Sequence, residues 1–196
     1  MRKDPRLGPL LRVFELKETG DSTFIEEIHQ LIAQESQTLY DELFADTSID
    51  VGKSLSRSER ESLNLQHSKS LIYGEVDFSS FYTVLRKINA PARSVFYDLG
   101  SGTGKAVYAA RIVQDFSKCV GIEILSKLHN QAAKITERYN DKFKDRLHLG
   151  QPNLAAVFEG SFLDFDWSDG DVVFANSTCF EDDLMLDLGR QAERLK

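Results

Sequence analysis

The stretch FYDLGSGTGK, residues 96–105, constrains the fold more than any other part of the chain, because it places three glycines at alternate positions directly after an apolar run. The run SVFYDL at 94–99 is β-rich, and the residues from Lys105 to Phe116 carry apolar side chains at the spacing of a buried helix. A strand, a glycine loop and a helix in this order are typical of an α/β fold.

Strands and helices continue to alternate after the glycine loop. Further strands are predicted at 118–123, within 153–162 and at 171–177, and helices at 125–143 and 184–195. Because the strands are apolar on both faces, they fit a parallel sheet. The main domain is therefore predicted to be α/β, with four parallel strands.

Helical periodicity also marks the part of the chain before this domain. Thr23 and Glu26 have capping-box spacing, and apolar residues at three- and four-residue intervals predict a long amphipathic helix that ends near Phe44. The segment 45–70 is rich in serine and charge, so it is interpreted as a surface connection with a short helix around 56–65.

Asp77 marks the start of the next helix, because an aspartate before a helix-periodic apolar run can cap its N-terminus. This helix is expected to stop at NAPA, residues 89–92, since the residue before a proline is driven out of the helical region. We therefore divide the chain into an N-terminal helical region with its connection, 1–70, and a main domain, 71–196.

Composition bounds the class of protein. A chain of 196 residues with 41% apolar residues fits one compact domain, and its net charge of −7 argues against a broad nucleic-acid-binding surface. Cys119 and Cys179 have no CxxC or Cys/His spacing, so no metal site is predicted. No apolar run approaches the roughly 20 residues of a membrane span, and the start is too charged for a signal peptide. We expect a soluble, intracellular protein of the nucleus or cytoplasm.

The glycine loop departs from both common phosphate-binding patterns. A P-loop needs a glycine where Leu99 lies and a hydroxyl where Ala106 lies, and the pattern GxGxxG would place its third glycine at Lys105. Asp98, at the carboxyl end of the strand, would repel a phosphate but attract an ammonium. The N–H groups at the start of the following helix favour a carboxylate. Together these features predict a site for an amino-acid group.

Glu123 ends the next strand, at the spacing where sheets of this kind present a carboxylate to the two hydroxyls of a ribose. A ligand that carries both an amino-acid group and a ribose is S-adenosylmethionine. The alternative is that the three glycines only make a tight turn, and that Asp98 and Glu123 cap helices.

Five motifs occur in a fixed order: YGEVDF (73–78), FYDLGSGTGK (96–105), VGIEI (120–124), EGSFLDFDW (159–167) and VVFANSTCF (172–180). Together they resemble the non-SET histone-lysine methyltransferases, the disruptor of telomeric silencing family. The glycine loop alone would indicate only a class I methyltransferase. The resemblance implies a Rossmann-like class I methyltransferase sheet and S-adenosylmethionine-dependent methylation of a protein lysine, with a histone or nucleosome as a possible substrate.

The resemblance also implies roles for particular residues. The segment around Gly74 is implied to fold over the cofactor, with Ser161 and Phe162 at its adenine. Phe174 and Asn176 are implied to line the entrance for the target lysine. With the glycine loop included, the candidate cofactor-binding residues are Tyr73, Gly74, Glu75, Asp98, Gly100, Ser101, Gly102, Thr103, Gly104, Lys105, Glu123, Ser161 and Phe162. The candidate catalytic residues are Asn176, Phe174 and Tyr73.

Two positions depart from the family pattern. Ser161 stands where the family commonly has aspartate, so it offers a neutral hydrogen bond in place of a charged one. Lys105 stands where glutamine is frequent, and it is predicted to pair with the methionine carboxylate.

The four predicted strands are fewer than the seven of a class I methyltransferase sheet, so the last strand would form an apolar edge. We therefore predict a fragment or shortened gene product, or an edge that is covered by the N-terminal helices, a partner or a second copy. Three functions stay open from the sequence. They are a protein-lysine methyltransferase, a cofactor-binding but inactive relative that acts through partners, and a methyltransferase for a small molecule or another protein side chain.

Overall fold

The computed structural model describes most of the chain, namely residues 15–20, 22–144 and 154–195. These residues belong to two compact units, Met1–Leu39 and Tyr40–Lys196. Residues 1–14 of the predicted N-terminal region lie outside the described residues.

The chain alternates helices and strands as the sequence predicts. The helices are α1 Phe24–Leu43, α2 Ile49–Ser62, α3 Phe78–Ile88, α4 Lys105–Val113, α5 Ser126–Lys142 and α6 Asp182–Ala192. The strands are β1 Val95–Leu99, β2 Lys118–Glu123, β3 Leu154–Glu159 and β4 Val172–Phe174. Short 3-10 turns cover Lys69–Leu71 and Ser177–Cys179.

The four strands form a parallel sheet in the order β3-β2-β1-β4. Asp98 of β1 pairs with Gly121 of β2 on one side and with Phe174 of β4 on the other. The chain therefore moves outward from β1 to β3 and then returns to the other side of β1. In such sheets ligands bind at the carboxyl ends of the strands where the order reverses. Within the described residues, the outer side of β4 pairs with no further strand.

Apolar side chains cover both faces of the central strands, as expected for a parallel sheet. On one face Tyr97 and Leu99 pack in a buried cluster with Trp167, whose indole N–H donates to the Phe162 carbonyl. Phe96 points the opposite way, because successive strand residues alternate between the two faces. Its ring lies near those of Phe81 in α3 and Phe116. The prediction of an α/β fold is confirmed.

Helix α2 differs from the prediction of a surface connection with a short helix around 56–65. It begins at Ile49, after Ser48 caps its first turn by accepting a hydrogen bond from the Val51 N–H at 3.4 Å. Its buried residues are Gly52, Ser56 and Glu59. Because this buried face carries a glycine and polar residues, the apolar periodicity by which a helix is recognised in a sequence is weak in this segment.

Candidate functional site

Two adjoining cavities lie at the carboxyl ends of the strands, beside the point where the strand order reverses. The larger has a volume of about 110 Å³ and the smaller of about 20 Å³. Four residues line both cavities: Tyr73, Gly74, Gly100 and Asn176. Sites for small molecules are typically concave and mainly apolar, with a few polar groups. The two cavities together are the candidate functional site.

The larger cavity is mainly apolar, with a few polar groups. Its apolar walls are Leu71, Ile72, Ile124, Leu125, Leu128, Phe162, Phe180 and Leu184. Phe162 and Phe180 stack with their ring centroids 5.8 Å apart. The Ser161 hydroxyl accepts a hydrogen bond from the Leu163 N–H at 3.2 Å, which leaves its own proton available to a ligand.

The glycine loop adopts backbone angles that favour glycine at three positions. Gly100, Gly102 and Gly104 have φ of +83°, +55° and +84°, in the left-handed region that side chains disfavour. At Gly102 a Cβ would also lie 2.5 Å from Cε2 of Tyr73. Both the backbone angle and the close approach of a ring therefore exclude a larger residue at this position.

The N–H groups of the glycine loop are largely used within the protein. Gly100 and Ser101 donate to the Ile122 carbonyl, and Gly104 donates to the Ser101 carbonyl. The start of α4 is different, because no side chain caps it. Ala106, in its first turn, lines the smaller cavity. A ligand carboxylate would therefore meet the start of α4 rather than the loop itself.

Asp98 lines the smaller cavity and is 3% exposed. Among the described residues no hydrogen bond or ion pair to its carboxylate is present. Burial, and secondarily the charge of Glu123, raises the pKa of Asp98 to about 8. A buried carboxylate without a partner is costly, and a ligand ammonium would neutralise it.

Glu123 lines the larger cavity and accepts hydrogen bonds from two segments, the glycine loop and the residues before α5. Its Oε2 accepts from the Gly102 N–H at 2.7 Å and its Oε1 from the Leu125 N–H at 2.8 Å. Burial raises the pKa of Glu123, while these hydrogen bonds act in the opposite direction. Each carboxylate oxygen has a second lone pair, so the group can accept further hydrogen bonds from a ligand hydroxyl.

Tyr73, Glu75 and Lys105 form a hydrogen-bonded chain beside the smaller cavity. The Tyr73 hydroxyl donates to Glu75 Oε1 at 2.6 Å and lies 2.8 Å from the hydroxyl of Thr103. Lys105 Nζ donates to Glu75 Oε2 at 2.8 Å. The ammonium that the sequence assigns to a methionine carboxylate is thus already paired with Glu75 in this structure.

Phe174 and Asn176 lie at the end of β4 and line the smaller cavity. The Phe174 ring packs against that of Phe81, with centroids 4.8 Å apart, so it is also part of the hydrophobic core. The Asn176 Oδ1 accepts from Thr178 at 3.5 Å. Its Nδ2 lies beside Gly74 and donates no hydrogen bond within the described part of the chain. This amide is therefore free to bind a ligand where the two cavities meet.

All the candidate residues from the sequence thus lie in or beside the two cavities, and the structure adds others that the sequence did not indicate. Ser70 lines the larger cavity, and its hydroxyl accepts from the Glu181 N–H at 3.0 Å. Gly52 in α2 lies against the ring of Tyr73. A glycine in the middle of a helix is unusual and would have drawn attention to Gly52. Because the segment was predicted to be a connection, its glycine was not noticed.

Two kinds of site are absent from the residues that the structure describes. They contain no group of three or more His, Cys, Asp or Glu side chains placed to hold a metal ion. In the same ranges, no helix has the length and apolar character that crossing a membrane requires.

Comparisons with known proteins agree with the resemblance of the motifs. Residues 55–196 match the family described as "Histone methylation protein DOT1". A Caenorhabditis elegans protein named "Histone-lysine N-methyltransferase, H3 lysine-79 specific" is 30% identical over 129 residues, which are 62% of this chain and 13% of that protein. This chain therefore spans about an eighth of the length of that curated relative.

Among solved structures, the chain is similar to that of a candidate S-adenosyl-L-methionine-dependent methyltransferase from Methanococcus maripaludis. The identity is 17% and the TM-score 0.48, with 76% of this chain and 59% of the other covered.

The fold and the candidate site define an α/β protein with two adjoining cavities at the carboxyl ends of a parallel sheet. More particularly, the chain belongs to the DOT1 histone methylation family, because the family model matches well over half of its length. The resemblance found in the sequence is confirmed.

Proposed function

We propose that this chain binds S-adenosylmethionine across the two cavities, with its adenosine in the larger and its amino-acid group in the smaller, and transfers its methyl group to a lysine of a protein, with a histone or nucleosome as the substrate. The observation that carries the proposal is the unpartnered, buried carboxylate of Asp98 beside the glycine loop. It calls for a cation, and phosphate ligands would be repelled. Family membership and the C. elegans relative's name support lysine as the acceptor.

The residues present fit this cofactor. In the proposal, Asp98 binds the ammonium of the amino-acid group, and the uncapped start of α4 binds its carboxylate. Glu123 binds the ribose hydroxyls with its remaining lone pairs. Phe162 borders the adenine and stacks on it. Ser161 also borders the adenine and donates a hydrogen bond to it with its hydroxyl proton.

The proposed entrance for the lysine lies beside Asn176, where the two cavities meet. When bound, S-adenosylmethionine supplies an electrophilic methyl group on a sulfonium. The lysine ammonium would first lose a proton to water, and the lone pair of the neutral amine would then form the N–C bond as the S–C bond breaks and leaves its electron pair on sulfur. Phe174 and Tyr73 would favour the neutral amine by excluding water, and Asn176 would orient it.

Several broader assignments are part of the same proposal. Residues 1–70 are proposed as a helical region with its connection and residues 71–196 as the cofactor-binding domain. A nuclear location follows from a histone substrate. The unpaired edge of β4 is proposed as a place for a partner or a second copy, since exposed sheet edges are usually covered in proteins.

Binding experiments test the cofactor first. Calorimetry with S-adenosylmethionine should show binding, and calorimetry with ATP should show none. Asp98→Asn should weaken the binding of S-adenosylmethionine by about tenfold to a hundredfold, the size expected for loss of a charged hydrogen bond. Binding of ATP alone would contradict the proposal.

Transfer is tested with a labelled methyl group. The chain is incubated with histones, nucleosomes or a small-molecule extract, and label on a histone lysine is expected. Asn176→Ala should reduce that label while the affinity for the cofactor stays within a few fold. Binding without any labelled product would favour the inactive relative, and label only in small molecules would favour the third function.

A further inference from the structure

Gly52 occupies a position in α2 where glycine is disfavoured relative to alanine. A Cβ at this position would lie 2.8 Å from Cδ1 of Tyr73, and closer still to Cε1 and Cζ. By contrast, Gly189 lies in α6 with open space where its Cβ would be. The bare backbone at Gly52 therefore matches the ring of Tyr73 rather than any need of the helix.

The ring of Tyr73 is held between two glycines on different elements. One edge faces Gly52 in α2, and the other faces Gly102 in the glycine loop. The ring thus fills the space between α2 and the loop. Its position depends on both neighbours remaining without a side chain.

The position of this ring fixes charged groups at the smaller cavity. The Tyr73 hydroxyl donates to Glu75, and the other oxygen of Glu75 accepts from Lys105. Displacement of the ring would break the first of these bonds, which is 2.6 Å long, because the hydroxyl moves with the ring. Glu75 and Lys105 would then lose their fixed arrangement.

Helix α2 has little freedom to move away from Tyr73. The Ser56 hydroxyl donates to the Leu71 carbonyl at 2.9 Å, two residues before Tyr73. Glu59 accepts from the Ser126 and Lys127 N–H groups at 2.8 and 2.6 Å. A side chain at position 52 would therefore be accommodated by movement of the ring and not of the helix.

We propose that Gly52 is a positioning residue for the cofactor site, because it seats the Tyr73 ring that holds Glu75 and Lys105 at the smaller cavity. The identity of the cofactor in this inference rests on the proposed function. Gly52 itself lies before the residues that match the family, 55–196.

A double-mutant cycle in the full chain tests this role. Gly52→Ala should weaken the binding of S-adenosylmethionine by about tenfold, the size of coupling found between residues in contact. In a Tyr73→Ala background the same substitution should cost less than about twofold, because the clash is gone. Gly189→Ala is the matched control, and it should leave the affinity unchanged.

The thermal midpoint of the cofactor-free chain gives a second readout. Gly52→Ala should lower it when Tyr73 is present and raise it in the Tyr73→Ala background, since alanine is the better helix former. Gly189→Ala should raise it in both backgrounds.

Two results would overturn the inference: an unchanged affinity in Gly52→Ala, or an equal loss with and without the Tyr73 ring. If the unsubstituted chain fails to bind S-adenosylmethionine, the proposed function fails instead. The thermal midpoints still decide the role of Gly52 in that case, because shifts in the same direction in both backgrounds would show that it does not seat the ring.

Discussion

The carboxylate of Asp98 is buried without a cation, and such a group destabilises a protein unless it is protonated or neutralised. With its pKa raised to about 8, mainly by burial, Asp98 holds its proton in most molecules of the cofactor-free chain at pH 7. A ligand ammonium needs the charged form. Binding of the proposed cofactor is therefore linked to the release of a proton from this residue.

The linkage predicts how affinity depends on pH. Because the pKa of Asp98 is raised to about 8, the fraction of charged carboxylate increases between pH 6 and pH 7.5, and the affinity for S-adenosylmethionine should increase with it. The slope should approach about tenfold per pH unit. Calorimetry in buffers of different ionisation enthalpy measures both the affinity and the released proton.

Asp98→Asn is the control for this pH dependence. The variant should bind more weakly, with a flatter dependence and less proton release. An unchanged slope in the variant would mean that another group is responsible.

At the scale of elements, α2 precedes the sheet in the sequence and contacts the first turn of α5. Glu59 caps α5 by accepting two of its first N–H groups, a role that a residue just before the helix usually has. The residue at the N-cap of α5 is Leu125, whose side chain cannot accept a hydrogen bond. The cap therefore comes from a distant segment of the chain.

Removal of this cap should destabilise the fold. Glu59→Ala is expected to lower the free energy of unfolding by about 1–2 kcal/mol, at the upper end of the range for capping residues, because two N–H groups at the start of α5 lose their partner. Urea denaturation measures the change. Glu61→Ala, on the exposed side of the same helix, should have little effect, and equal losses in the two variants would argue against the cap.

The same helix shows where prediction from the sequence stops. The strand, loop and helix around 94–116 were predictable because apolar spacing and glycine positions are local signals. The segment that forms α2 was interpreted as a connection, because its buried residues Gly52, Ser56 and Glu59 look like those of a loop. Its helical state depends on tertiary contacts with Tyr73 and α5. These contacts cannot be read from a single amino-acid sequence.

At the scale of the whole molecule, the strand order brings separate segments to one edge of the sheet. Tyr73, Asp98 and Asn176 come from three distant parts of the sequence and line one small cavity. The sequence motifs indicated these residues individually. Their contacts, such as the pairing of Lys105 with Glu75, required the structure.

Because several segments meet at the site, a bound cofactor should stabilise the whole unit. At about 100 times its dissociation constant, the ligand adds about 2.7 kcal/mol to the free energy of unfolding. For a chain of this size the thermal midpoint should rise by roughly 5–10 °C. Differential scanning calorimetry measures the rise, ATP at equal concentration should cause none, and an absence of any shift with S-adenosylmethionine would contradict binding.

The Glu59 cap affects which nucleotides the larger cavity can bind. Helix starts that follow a strand often bind phosphate through their free N–H groups. Here a carboxylate already occupies the start of α5, and Glu123 adds a second negative charge close by. A ribose that carries a phosphate would meet two anions at this point, so we expect the larger cavity to favour adenosine compounds whose ribose hydroxyls are unmodified.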